Sequence, residues 1–274
     1  MPSRVSCRPR RTSPVRADLA IIIPCCNEEE ALGRLQEQLR PVLDDVAPRY
    51  HIELVLVDDG STDATWDWLQ LVRRFDWPAR VILGQHERNR GLGAALRTGL
   101  DLTDAPVIVT IDVDGTYPFR IIEPLLEAIA NGADVATASP YHPDGGVAGV
   151  SAWRLLFSRG ASMLYRVLVD RRIHTYTALV RAYRRDILDE TLADHPGFLN
   201  VAVTLVEACR RKAIVAEIPA VLAQREVGQS KARIMRITRS HLRYMAQLIW
   251  LRMTGRFWLA ERRSQALQEK RSLV

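Results

Sequence analysis

Four short apolar runs, each ending in a polar turn, constrain this chain more than any other feature. They cover residues 19–24, 52–57, 81–83 and 107–111 and are rich in Ile, Val and Leu. Runs that stay apolar without alternating suit strands covered on both faces, as in parallel sheets. Helical patterns lie between them: Leu32, Leu35, Leu39 and Val42 after the first, Trp66, Leu69 and Val72 after the second, residues 94–102 after the third. Strand and helix in alternation predict an α/β fold, a doubly wound, mainly parallel sheet with right-handed crossovers. Further on, 198–212 reads as a helix and 213–221 as a strand returning to the core.

In such sheets a ligand sits beyond the carboxyl ends of the strands, where the strand order reverses. Three strand ends on that edge are polar or acidic: Pro24-Cys25-Cys26-Asn27-Glu28, Asp58-Asp59-Gly60-Ser61 and Asp112-Val113-Asp114-Gly115. Asn27 is placed to cap the first helix, with Glu28, Glu29 and Glu30 in the first turn, where the helix dipole favours acid. If the fourth strand stays extended through Asp114, its two carboxylates face the same way. Their hard oxygens suit Mg²⁺ or Mn²⁺. Asp-x-Asp-Gly is also ordinary turn chemistry. Three acidic ends converging on one crevice raise one another's pKa unless a cation or a hydrogen-bonding ligand relieves them.

Other nucleotide sites are excluded by what is missing. The first strand-to-helix turn has no glycine, so the pyrophosphate cradle of a dehydrogenase is absent, and no Walker lysine motif occurs. The net charge of +6 is unevenly spread: residues 1–17 carry +5, residues 229–274 carry +9, and the body between them is acidic at −8. Basic ends on an acidic body argue against nucleic acid and suit an anionic membrane surface. Residues 1–17 read as a disordered basic arm, 18–228 as the catalytic domain and 229–274 as a basic amphipathic helical region. From Ile234 on, apolar residues alternate with arginines at helical spacing, which fits either a helix on an anionic leaflet or one packed on the domain with a solvated basic face. No apolar stretch is long enough to span a bilayer. The four cysteines have neither metal nor disulfide spacing, so a reducing cytosol is the expectation. The six histidines are scattered and read mostly as surface or capping residues.

These motifs together resemble the family-2 glycosyltransferases of GT-A fold, and among them the polyprenyl-phosphate (dolichol-phosphate) mannosyl- and glucosyltransferases. The resemblance runs from about residue 18 to residue 253. It rests on Ile21-Ile22-Ile23-Pro24-Cys25-Cys26-Asn27-Glu28, on Val57-Asp58-Asp59-Gly60-Ser61-Thr62-Asp63, on Asn89-Arg90-Gly91-Leu92-Gly93, and on Asp112-Val113-Asp114 at the family's metal-binding D-x-D. Later segments also match in outline: Ser139-Pro140-Tyr141, Trp153-Arg154 with Phe157-Ser158-Arg159, the stretch 177–185, and Arg225 with Gly228-Gln229-Ser230-Lys231. The chain departs from the family at Thr116, where Gln is frequent, at Pro140, where many members carry Arg, and at His174-Thr175-Tyr176-Thr177, which replaces an Asp-containing run.

The resemblance implies a GT-A sheet flanked by helices, with C-terminal amphipathic helices. It implies metal-dependent, inverting transfer of a mannose or glucose from a GDP- or UDP-hexose to a polyprenyl phosphate at the cytoplasmic membrane face. Asp112 and Asp114 would hold Mg²⁺ or Mn²⁺. Pro24, Asn27, Glu28, Asp58, Asp59, Gly60, Ser61, Asp112, Val113 and Asp114 would bind the nucleotide-sugar, and Arg154, Ser158, Arg225, Ser230 and Lys231 the acceptor phosphate. Two other readings stay open: a soluble family-2 enzyme with a polysaccharide or small-molecule acceptor, and an inactive relative that only binds nucleotide-sugar.

Overall fold

The first strand, β1 (Leu19–Cys25), shows why the apolar runs have no alternation. Leu19, Ile21 and Ile23 face one core cluster, while Ala20 and Ile22 face a second on the other side of the sheet. Helices cover both faces, so each position along the strand is buried whichever way it points. The computed structural model describes residues 17–192, 195, 197–224 and 231–257, with backbone alone at 154 and 231–236. The expectations for the arm at 1–17 (apart from Ala17), for Arg225 and Ser230, and for the side chains of Arg154 and Lys231 lie outside the described residues.

Helices α1 (Glu29–Leu32) and α2 (Leu35–Val46) lead to β2 (Ile52–Asp58), then α3 (Thr65–Val72), β3 (Arg80–Gln85), α4 (Leu92–Asp101) and β4 (Val107–Thr110). A 3₁₀ turn at Phe119–Ile121 runs into α5 (Ile122–Ala130), followed by β5 (Val135–Ser139), β6 (Gly146–Ala148) and α6 (Ala152–Leu168). The remainder comprises β7 (Arg181–Arg184), α7 (Arg185–Thr191), α8 (Leu199–Arg210), β8 (Val215–Pro219), β9 (Val221–Ala223) and α9 (Lys231–Met253). The single helix expected after β1 is two, broken at Gly33 and Arg34.

The main sheet has the order β3-β2-β1-β4-β7-β5-β8. β7 runs antiparallel to both β4 and β5, and the other pairings are parallel. A second, two-stranded sheet pairs β6 with β9. The chain builds outward from β1 to β2 and β3, then returns to the other side of β1 for β4, so the order reverses between β1 and β4. Their register ends at Ile22 and Thr110, whereas β1 continues beside β2 as far as Cys25 and Asp58. The two strands part there, and a crevice opens between them. Helix α4 lies close over this junction because Gly99 lets it: a Cβ at that position would stand 2.5 Å from Ile22 Cγ2.

Candidate active site

The crevice has a volume of about 490 Å³ and is lined by Pro24, Cys25, Cys26 and Glu28 from the β1 end, by Asp59, by the turn into α4, and by Asp112. Of the residues expected to meet a nucleotide-sugar, Pro24, Glu28, Asp59 and Asp112 form its wall. Asn27, Asp58, Gly60, Ser61, Val113 and Asp114 lie in the same loops without lining it.

Those loops are knitted to one another. Asn27 sits at φ +56°, and its side-chain oxygen accepts hydrogen bonds from the Thr62 backbone N–H (2.8 Å) and the Thr62 hydroxyl (3.3 Å). The expected cap of the first helix is therefore not made by Asn27, whose amide is committed to the neighbouring loop. Glu28 N donates to Thr65 Oγ1 at 2.8 Å, and Glu29 accepts from Ala64 N at 2.9 Å. Gly60 takes φ +66° against the 88–89 backbone, where a Cβ would come within 2.2 Å of the Arg88 carbonyl carbon. Only glycine fits a left-handed residue with backbone that close.

Asp59 is the hub. It is buried, and its carboxylate accepts from His86 Nδ1 (2.7 Å), Arg90 N (2.9 Å) and Gly91 N (2.8 Å). The last two N–H groups lie just before α4, where a carboxylate also meets the positive end of the helix. Asp58, equally buried, accepts from Ser61 N and Gln85 Nε2. His86 is thus a buried partner of Asp59 rather than a surface group.

β4 stops at Thr110, two residues short of Asp112, so strand alternation does not aim the two carboxylates. The two sit instead in a turn through Gly115 (φ +69°), with Asp114 Oδ1 accepting from Thr116 N at 3.0 Å. Thr116 O accepts from Ala223 N at 2.9 Å, tying this loop to β9. Burial first, and the neighbouring Asp114 carboxylate second, push Asp112 up to about 8. Tyr117, buried beside them, is raised as well, by desolvation first and then by the Asp112 carboxylate. Among the described residues no group of three or more His, Cys, Asp or Glu side chains is placed to hold a metal ion. A hard cation held at this loop would have Asp112 on the crevice wall and Asp114 beside it as carboxylate donors, a set that suits Mg²⁺ or Mn²⁺ sharing its remaining positions between water and phosphate.

Helices distant in sequence complete the wall: Gly197, Phe198 and Leu199 at the start of α8, and Ile237 and Ser240 from α9. Sequence reasoning placed none of these in the site. The side that α9 turns to the protein is apolar, the only signal that it packs back. Phe198 and Ile237 also line a second cavity of about 370 Å³ between α6 and α9, walled by Leu156, Phe157, Leu164, Leu242 and Met245. Ser158 and Thr177 stand in its lining, their hydroxyls 2.9 Å apart. Ser158 is the one expected acceptor residue whose side chain is described.

His241 also faces this cavity. It is buried, its Nδ1 shares a hydrogen bond with the Tyr165 hydroxyl at 2.9 Å, and burial depresses it to about 4. A base with a depressed folded pKa stabilises fully above its unfolded value, and that stability is lost as pH falls toward the folded one. We expect the thermal midpoint to drop between about pH 6.5 and pH 4, with up to about 3 kcal/mol of the loss due to this residue. His241→Gln, which cannot take up the proton, should flatten that part of the curve. An unchanged acid slope in thermal melts would refute the assignment.

Comparison with known proteins places this architecture. The model of the family described as "Glycosyl transferase family 2" matches residues 20–192. The chain is 33% identical to the polyprenol monophosphomannose synthase of Mycolicibacterium smegmatis, over 77% of this chain and 79% of that one. It is 31% identical to the dolichol-phosphate mannosyltransferase of Pyrococcus furiosus over 78% of its own length, and spans 59% of that relative. Among solved structures it resembles glucosyl-3-phosphoglycerate synthase from Mycobacterium tuberculosis in complex with Mn²⁺, UDP-glucose and phosphoglyceric acid. That match has a TM-score of 0.63 and 18% identity and covers 85% of this chain and 79% of that one, a likeness of fold.

Proposed function

The chain belongs to glycosyl transferase family 2 and is a glycosyltransferase, and from that premise we propose that it transfers a hexose, mannose or glucose, from a GDP- or UDP-sugar to a polyprenyl phosphate. It would do so with inversion, at the cytoplasmic face of a membrane to which it binds peripherally. One observation carries this reading: the crevice at the β1/β4 switch point and the apolar cavity between α6 and α9 share Phe198 and Ile237 as a common wall. A polar diphosphate and an apolar lipid chain can thus lie on either side of one boundary, their reacting ends meeting at it. The Mycolicibacterium and Pyrococcus relatives are named for polyprenol and dolichol phosphates, in line with this acceptor class.

In this mechanism the knitted loops at 27–28 and 58–61 orient the nucleoside, with Pro24 and Glu28 on the base side. Asp59 acts there by fixing the turn into α4. Asp112 and Asp114 would hold Mg²⁺ or Mn²⁺, which when bound supplies Lewis-acid neutralisation of the diphosphate leaving group. The Asp112 carboxyl must give up its proton for this, so cation affinity rises with pH through about 8. The acceptor's phosphate oxygen attacks the anomeric carbon from the face opposite the diphosphate. It is already anionic, so no general base is required. Ser158 and Thr177 offer hydroxyls at the acceptor side, and Arg154, Arg225, Ser230 and Lys231 are proposed as its further phosphate ligands, forks and point charges suited to a phosphate monoester.

The deciding experiment incubates the protein with GDP- and UDP-hexoses, Mg²⁺ or Mn²⁺, and a short-chain polyprenyl phosphate, and follows labelled sugar into the organic phase. We expect an alkali-stable, inverted glycosyl phosphate with one donor and no product in the presence of chelator. Absence of glycolipid with every donor, with the cation present, would sink the proposal.

A further inference from the structure

One buried polar atom beside the two cavities has no partner. The Tyr141 hydroxyl oxygen is closed off from water, and among the described residues it makes no hydrogen bond. Native structures seldom leave such a group unpaired, because its desolvation cost is then not recovered. Burial raises Tyr141 above the ordinary phenol range, so the hydroxyl keeps its proton and is a donor. Its position is at the site. Tyr141 lies two residues beyond β5, which runs parallel to β4 through the intervening β7, so this end of β5 comes out on the same sheet edge as the Asp112 loop. On one side Ser158, from the wall of the apolar cavity, is its hydroxyl neighbour, already paired with Thr177 at 2.9 Å. Toward the crevice, Tyr117 is close enough to feel the charges of both Tyr141 and Asp112. Arg159 places its guanidinium carbon 5.4 Å from the centre of the Tyr141 ring. That side chain is exposed and has no acid partner among the described residues.

We infer that Tyr141 and Arg159 form a substrate-binding pair of this transferase, the hydroxyl donating a hydrogen bond to a phosphoryl oxygen and the guanidinium supplying positive charge beside it. The chemistry selects the oxygen. A donor with a free proton next to an unpaired cation is matched by an anionic acceptor, and a charge-assisted O–H···O⁻ bond is the strong kind. Arg159 rests on the ring face alone, so it can turn toward a phosphate without breaking an ion pair. The source of the oxygen rests on the proposed function: the donor's diphosphate comes from the Asp112 side and the acceptor's phosphate from the Ser158 side.

Tyr141→Phe removes the oxygen and keeps the ring under Arg159. A hydroxyl that served only the fold would cost stability when removed. This one has no protein bond to lose, so the variant should melt at or above the parental midpoint. Its kcat/KM for transfer to a short-chain polyprenyl phosphate should fall roughly 10- to 100-fold. Calorimetric titrations, which need no transfer, separate the sources: UDP or GDP with Mn²⁺ probes the diphosphate, and geranyl phosphate the acceptor. Whichever titration weakens about tenfold in Tyr141→Phe names the phosphoryl group that is held. Arg159→Gln should weaken the same titration and reduce its sensitivity to salt. A loss confined to kcat, with both titrations parental, supports the pair as one that engages only in the transition state. Parental kcat/KM in Tyr141→Phe overturns the inference, as does a fall in activity matched by a fall in melting midpoint. A parent that binds neither ligand removes both the pair and the transfer reading. A parent that binds geranyl phosphate, a Tyr141→Phe variant that does not, and no sugar transfer by either leave the pair standing and remove the transfer reading alone.

Discussion

Asp112→Asn will lower transfer about 10²- to 10³-fold and, in the same protein, raise the thermal stability of the cation-free form at alkaline pH. The first effect follows from losing one of two carboxylates proposed to hold the cation, whose neutralisation of the leaving group is worth several kcal/mol, at about 1.4 kcal/mol per factor of ten. The second follows from linkage. Asp112 is raised to about 8 by burial and by Asp114. An acid whose folded pKa lies above its unfolded value favours folding only while protonated. The stability it contributes is present at low pH and is lost as pH climbs through the carboxylate range toward 8. Asn carries no charge to bury, so the variant lacks that loss. Melts with chelator at about pH 4 and about pH 9 should show the parent and variant alike at the lower pH and the variant higher at the upper one, with the gap opening progressively between them. Adding Mn²⁺ should raise the parent's midpoint more at the higher pH and leave the variant's almost unmoved. A variant with near-parental activity, or one whose cation-free melts follow the parent at both pH values, would remove Asp112 from the cation site.

Asp59→Ala is expected to cost about 3–5 kcal/mol, lowering the melting midpoint by on the order of 10 °C. A buried donor, His86 Nδ1, and two part-buried ones, Arg90 N and Gly91 N, lose their acceptor at once. The desolvation cost of unsatisfied groups, not the net worth of the bonds, sets the size of the effect. The turn into α4 lines the crevice, so nucleotide affinity should fall along with stability. Asp59→Asn tells the two contributions apart. An amide oxygen can serve one donor while its NH₂ opposes another, so stability should fall by an intermediate amount. Full stability with lost nucleotide binding would instead make Asp59 a direct ligand. Differential scanning calorimetry and UDP or GDP titration below the variants' melting range measure both.

The donor side of the site was legible because its residues are local. Each polar triplet follows directly on an apolar strand, and strand ends on one edge of a parallel sheet must be neighbours. What each side chain does there was less legible. Asn27 at the start of a helical pattern reads as a cap, yet its amide bonds Thr62, thirty-five residues away. Asp59 beside Asp58 reads as a pair of ligands, yet Asp59 is engaged by the Gly-rich turn. His86 carries no local mark of burial, since its partners Asp59 and Thr98 come from other elements. β7, four residues inserted antiparallel between β4 and β5, is too short to announce itself against the helix that follows. The acceptor side shows the same limit: the sequence displays α9 as basic and amphipathic but not that Ile237 and Ser240 face the donor crevice.

The amino-acid sequence alone determined the α/β class, the alternation of elements, the family and the edge of the sheet at which chemistry is to be sought. These depend on short-range periodicity and on motifs whose atoms are consecutive in the chain. Tertiary structure decided the rest: where the strand order reverses, which carboxylate is a ligand candidate and which a strut, and that two cavities share one wall. Each of these is a relation between residues tens of positions apart, set by packing and by the need of every buried polar group for a partner, and no local pattern encodes it.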